Sequence, residues 1–385
     1  MKSISRWLGI LALLVISGCA VYATQNLDEA YGKANSANRL PQEEKLPVNF
    51  YQDQVKPILE NRCINCHACY DAPCQIKLTA ADGIERGGSK DKVYEGDRLL
   101  AVQPTRLFED ARTAQEWRDK GFYPILNERS QSPAANLQGS VLYRAIALRR
   151  QQGEFQDTVL PSDDYDFSLD RDQECPAVEE YSNFEASHPT WGMPYGLPEL
   201  TDQEYDILTR WLVKGAPMSA PVNVPSEITE QVSKWEAVFN GDDLKSRLIN
   251  RYVYEHIYLY SLYFDDDAQF TYKLVRSSTP PGEPIQRIST RRPYDAPGVE
   301  RVYYRLWLDP ESRVQKTFIP MKMDDERLQR WSDWLYDLSF EVTVLPSYAP
   351  EVASNPFQSF AQLPANSRYR FLLDHAQNTI MAFIK

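Results

Sequence analysis

Cys63-Ile64-Asn65-Cys66-His67 decides how the first half of this chain reads. C-x-x-C-H is the attachment motif of c-type haem: two thiols add across the porphyrin vinyl groups, and the adjacent imidazole reaches the iron. Two other readings compete. A disulfide between Cys63 and Cys66 needs only the two thiols. A zinc site needs a further pair of Cys or His at finger spacing, and Cys69 and Cys74 are near without a second paired cluster following. The motif therefore predicts one covalent haem c, attached through Cys63 and Cys66, with His67 as the proximal iron ligand.

The flanks of the motif support it. Asn49 is positioned to cap a helix from Phe50 toward Asn61, with Phe50, Val55, Ile58 and Leu59 available to face inward and Pro57 expected to kink it. Downstream, Trp191-Gly192-Met193-Pro194 precedes Thr201-Asp202-Gln203-Glu204, which reads as a capping box. The helix it opens carries Tyr205, Leu208, Trp211 and Leu212 and stops at Gly215. A Met-Pro ahead of a capped helix of this kind resembles cytochrome c domains. Met193 is the preferred candidate for the distal iron ligand, because Met ligation raises haem potential. His188, five residues upstream, is its rival, and an open distal position is the third reading.

The stretch between the motif and Met193 is too long for a minimal cytochrome, so it contains a long insertion. Of Cys69, Cys74 and Cys175, two are expected to bridge in an oxidising compartment and one to stay over; sequence leaves the pair open. The N-terminus explains that compartment. Lys2 and Arg6 precede an apolar run from Trp7 to Ile16, which has the length of a signal-peptide core and is too short for a membrane span. Residues 1–23 read as a signal peptide. Ile16-Ser17-Gly18-Cys19 resembles a lipobox, and Val21-Tyr22-Ala23 offers an alternative cleavage site. The expected location is the periplasm, soluble or lipid-anchored.

Residues 24–46 read as a polar tether and 47–215 as a mainly α, cytochrome c-like haem domain. The Pro-rich stretch 216–225 reads as a stiff linker, and 226–385 as an α+β domain. In that domain a helix is expected over Leu244 to Phe264, with strands at Gln269 to Val275, Arg301 to Leu308, Arg313 to Phe318 and Phe340 to Leu345. Asp324 to Leu338 has helical period, with Leu328, Trp331, Leu335 and Leu338 on one stripe, and Asn366 to Phe383 a final helix. Composition is that of a globular chain: 385 residues, 43% hydrophobic and 25% charged. The formal charge of −12 speaks against a nucleic-acid partner, which calls for concentrated Lys and Arg.

Beyond the motif, the chain resembles the bacterial fatty acid cis/trans isomerases. The resemblance rests on CINCHACY at 63–70, then YVYEHIYL at 252–259, LVRSSTPPG at 274–282, TRRPYD at 290–295, VYYRL at 302–306, LPSY at 345–348 and RYRFLLD at 368–374. It implies a periplasmic c-type cytochrome that converts cis double bonds to trans in the acyl chains of membrane phospholipids, without double-bond migration. Family members run longer, so it also implies that this chain is an N-terminal portion with an incomplete second domain. The partners implied are cis-unsaturated acyl chains and a peripheral membrane contact. The aromatic helix from Tyr252 to Phe264 is expected either to meet the bilayer interface or to fill the core. Arg291 and Arg292 are read as lipid-phosphate contacts or surface ion pairs. His256 and His375 are read as structural, since the reaction needs no proton transfer. The rival function is a periplasmic electron-transfer or redox-sensing cytochrome. A haem peroxidase fits less well, because there is a single C-x-x-C-H.

Overall fold

The computed structural model describes residues 22–36, 39, 46–69, 72–95, 98–155, 159–161, 164–168, 172–219 and 222–384. Most of the expected signal peptide, with Cys19, lies outside them. The chain divides into two compact units between residues 221 and 222, with Val314–Lys316 counted in the first.

The first unit is built from short helices. A π turn, Tyr51–Val55, runs into the α-helix Lys56–Arg62. Pro57 lies in the first turn of the α segment, where its missing N–H has no helical partner to lose. Phe50, Val55, Ile58 and Leu59 are buried, as their spacing predicts, but Asn49 supplies no side-chain cap. The capping box is present: Thr201 Oγ1 accepts from the Glu204 N–H while Glu204 accepts from the Thr201 N–H, opening helix Asp202–Val213. Trp211, fully buried, lies 5.8 Å from the Tyr51 ring and donates through Nε1 to the Pro217 carbonyl. Gly215 ends the helix in the left-handed region at φ +86°.

Two boundaries differ from expectation. Residues 22–31 form a helix, not an irregular tether. Leu27 packs against the core, and Asp28 pairs with Arg129, which also holds Glu179. The Pro-rich stretch begins inside the first core, since Ala216 and Met218 are buried there and the Met218 N–H reaches the Arg39 carbonyl. The insertion carries helices Ala81–Arg86, Ala114–Asp119, Pro133–Gln138, Val141–Gln152 and Tyr181–Ser187, and a small hairpin of β1 (Tyr94–Glu95) and β2 (Arg98–Leu99). A disulfide joins Cys74 to Cys175, 101 residues apart, and does not include Cys69.

The second unit packs helices Ser226–Phe239 and Leu244–Ile257 with a four-stranded sheet. The strands are β3 (Ser261–Tyr263), β4 (Tyr272–Ser277), β5 (Tyr303–Leu308) and β6 (Pro320–Lys322), in the order β5-β4-β3-β6. β3 pairs antiparallel with β4 and parallel with β6, placing Leu262 opposite both Tyr272 and Met321. The mixture is α+β. The helix expected to reach Phe264 stops at Ile257, because Ser261–Tyr263 is claimed by strands on both sides. The strand expected at Arg313 to Phe318 is instead a run of turns. There Arg313 donates to the Asp267 and Ala268 carbonyls, and the pairing strand begins at Pro320. Phe340 to Leu345 lies outside any ladder. The side-chain amide of Gln362 takes its backbone bonds, accepting from the Thr343 N–H and donating to the Val344 carbonyl. Helix Asp325–Trp331 passes into a π turn, Ser332–Tyr336, so Trp331 and Leu335 are buried while Leu338 is exposed. The chain ends on helix Ala365–Ile384. Among the described residues no helix is long and apolar enough to cross a membrane.

Candidate functional site

The Cys63–His67 turn follows directly from the helix before it. Cys63 N–H closes the last helical bond to the Leu59 carbonyl, and Ile64 N–H bonds the same oxygen. The Cys63 carbonyl then accepts from both the Cys66 and the His67 N–H, at 3.2 and 3.0 Å. Ile64, with no exposed surface, pins the turn to the core. Cys63 is half-buried and Cys66 exposed, and neither is in a disulfide, so the disulfide reading of this pair is not what the structure contains. Burial pushes the Cys63 thiol up to about 12, so it stays protonated and slow to oxidise at neutral pH.

His67 is oriented by its own backbone neighbourhood. Its Nδ1 donates to the Ile76 carbonyl at 3.1 Å, while its own carbonyl accepts from Leu78 N–H. A carbonyl only accepts, so the proton sits on Nδ1 and Nε2 carries the lone pair. Burial lowers the imidazole pKa, against the opposing pull of the Ile76 carbonyl. A neutral ring fixed through Nδ1 is the usual preparation of a histidine for metal ligation through Nε2. Among the described residues no group of three or more His, Cys, Asp and Glu comes together. The turn thus presents two unbridged thiols and one imidazole nitrogen without a hydrogen-bond partner, groups that could hold a porphyrin through thioethers.

Met193 lies on a separate loop, half-buried, its N–H donating to the Ala145 carbonyl of helix Val141–Gln152 at 2.9 Å. Gly192 makes this approach possible, since a Cβ there would come within 2.2 Å of the Arg149 nitrogen. His188 is otherwise employed. Its Nδ1 meets Ser187 Oγ at 2.9 Å, its Nε2 lies 3.5 Å from Glu174, and its ring sits between Phe184 and Trp191. With both nitrogens engaged, His188 is the poorer distal candidate. Sequence reasoning missed Arg62, which forms a bidentate pair with Glu204.

In the second unit Tyr252, Tyr254 and Tyr260 are buried, whereas Tyr258, Tyr263 and Phe264 are half-buried and Leu259 is exposed, so the core reading accounts for only part of this stretch. His256 donates through Nδ1 to the Tyr252 carbonyl, and His375 bridges Tyr260 and the His256 carbonyl. Both behave as structural groups. Arg292, largely exposed, stands 4.0 Å from Asp295. A cleft of about 450 Å³ is lined by Val224, Val232, Tyr272, Ile285, Leu306 and Trp307.

No curated protein sequence and no solved structure matches this chain. The family model described as fatty acid cis/trans isomerase matches residues 102–385. That span includes Met193, His188 and the whole second unit, and begins downstream of the Cys63–His67 turn. The chain accordingly belongs to the fatty acid cis/trans isomerase family, and is an isomerase.

Proposed function

We propose that this chain uses one covalently held haem c to convert cis-unsaturated acyl chains of membrane phospholipids to trans, leaving the double bond in its position. The observation that carries the haem assignment is the turn at 63–67, where two thiols outside any disulfide precede an imidazole fixed through Nδ1. Cys63 and Cys66 would hold the porphyrin, and His67 Nε2 and Met193 would be the ligands offered to its iron. When bound, haem iron supplies an electron-poor centre toward which the π electrons of an alkene are drawn.

The chain's own residues supply holding and exclusion. Burial keeps His67 neutral, and the Ile76 carbonyl keeps it aimed, which a freely turning ring would not be. Ile64 and Leu59, both without exposed surface, keep the turn from shifting against its helix. The 450 Å³ cleft, open to solvent and lined mostly by apolar side chains with Thr229 among them, offers a surface on which an acyl segment could lie. The trans isomer is the more stable, so only a barrier has to fall, and neither ATP nor nicotinamide is needed. That suits the periplasm, soluble or lipid-anchored, as the export signal and the extracytoplasmic attachment of c-type haem indicate.

The test is expression of the chain in a host that matures c-type cytochromes, with the trans/cis ratio of membrane fatty acids as readout. The expected result is a raised ratio that is lost in His67→Ala. Bound haem with an unchanged ratio would overturn the isomerase reading of this chain and favour an electron-transfer or redox-sensing cytochrome.

A further inference from the structure

A small cleft in the second unit, about 70 Å³, is walled by helix Leu244–Ile257, the 297–304 segment and Leu345–Tyr348. Three arginines line it, Arg247, Arg251 and Arg301. Arg251 is only 5% exposed. Its Nε donates to Glu255 at 2.7 Å and its Nη1 to the Pro346 carbonyl at 3.0 Å, while its plane lies 3.9 Å from the Tyr348 ring centroid. Its Nη2 is buried and has no hydrogen-bond partner. A buried charged N–H left without an acceptor is costly, so such a group marks a place where an acceptor belongs.

The neighbours extend the pattern. Arg247 is half-buried and has no ion-pair partner among the described residues. Arg301 spends Nη2 on the Asn240 and Gly241 carbonyls and on Asp242, whose carboxylate is open to water. One acid, Glu300, stands exposed at the rim. We propose that this cleft binds the phosphate of a phospholipid headgroup, with Arg251 Nη2 and the Arg247 guanidinium as its donors and Arg301 at its edge. The choice of a lipid source rests on the phospholipid reading above; the oxyanion site itself does not. Two arginines one helical turn apart, with a third from the 297–304 segment, suit a tetrahedral oxyanion, whose oxygens accept in several directions. The cleft is far below the roughly 300–1,000 Å³ that houses a drug-sized ligand, so it admits a headgroup anion and excludes an acyl chain. Arg291 and Arg292 lie elsewhere and do not line it.

The haem-loaded full chain is tested with two probes: inorganic phosphate by titration calorimetry, and sedimentation with vesicles of phosphatidylglycerol or of an uncharged galactolipid. Arg247→Gln, at a half-buried position, and Arg251→Gln, both checked for folding by circular dichroism, are each expected to weaken phosphate and phosphatidylglycerol binding about tenfold. Lys120→Gln, which removes one exposed charge elsewhere, leaves both unchanged. Loss of phosphate binding with vesicle binding intact supports the oxyanion site and assigns it to soluble phosphate. Phosphate and vesicle binding that neither arginine variant alters overturns the proposal. The trans/cis ratio, measured on the same proteins, reports separately on the isomerase reading, so phosphate binding without isomerisation would sink that reading and leave the cleft standing.

Discussion

Arg62, the residue before the first cysteine of the motif, grips both carboxylate oxygens of Glu204, with Nε at 2.9 Å and Nη2 at 2.8 Å. Glu204 is also the reciprocal member of the Thr201 capping box. One carboxylate thus fixes the start of helix Asp202–Val213 and ties it to the end of helix Lys56–Arg62, where the Cys63–His67 turn begins.

Removing that carboxylate has a defined cost. Burial pushes the Glu204 carboxyl up, but Arg62 and the Thr201 N–H and hydroxyl outweigh it and hold it below the ordinary value of 4.5. A depressed carboxylate contributes stability above its unfolded pKa and loses it as pH falls through the folded value. Glu204→Gln is expected to lower unfolding free energy by about 1–2 kcal/mol at pH 7. In urea titrations the gap from wild type should close below about pH 4, by the same linkage.

The pigment gives a second check. The Cys63→Ala/Cys66→Ala double variant is expected to lose all covalently held haem in a pyridine haemochrome assay after acid–acetone extraction, whereas wild type retains it. Met193→Ala should keep the pigment and bind added imidazole more tightly. His188→Ala should bind imidazole as wild type does, because its ring is committed to Ser187 and Glu174.

The Cys74–Cys175 bridge closes a separation of 101 residues. Loop-closure entropy for a ring of this size is roughly 4–5 kcal/mol, and measured losses run at about 2–5. The Cys74→Ser/Cys175→Ser variant should show a loss in that range by denaturant melting under oxidising conditions. A change below about 0.5 kcal/mol would mean that the bridge does not form.

Acid should loosen the second unit. Burial lowers the pKa of both His256 and His375 below 6.5, and for His375 the neighbouring His256 adds to it. A group depressed in the fold is protonated first in the unfolded chain, so stability is lost as pH falls from about 6.5 toward the folded pKa. The slope from each histidine stays below the full 1.36 kcal/mol per pH unit, because the unfolded and folded chains differ by less than one bound proton at that site over this range. Denaturation between pH 7 and 5.5, repeated with His256→Asn and His375→Gln, should show the slope reduced in each variant.

Local features were legible in residue order alone. C-x-x-C-H, the Thr201–Glu204 capping box, the Gly215 stop and the terminal helix each rest on residues a few positions apart, whose chemistry is complete within one turn. Residue order also carried the family, through strings dense in Tyr and Arg. Tertiary structure decided whatever depends on a distant partner. Phe340 to Leu345 alternates like a strand but is served by one Gln362 amide, and Tyr260 to Tyr263 leaves the helix because β4 and β6 offer it two ladders. Cys175 rather than Cys69 took Cys74, and Arg251 Nη2 was left buried in a cleft without an acceptor. Spacing along a chain fixes which groups share a turn; only the folded path fixes which groups meet across it, and how much water is left between them.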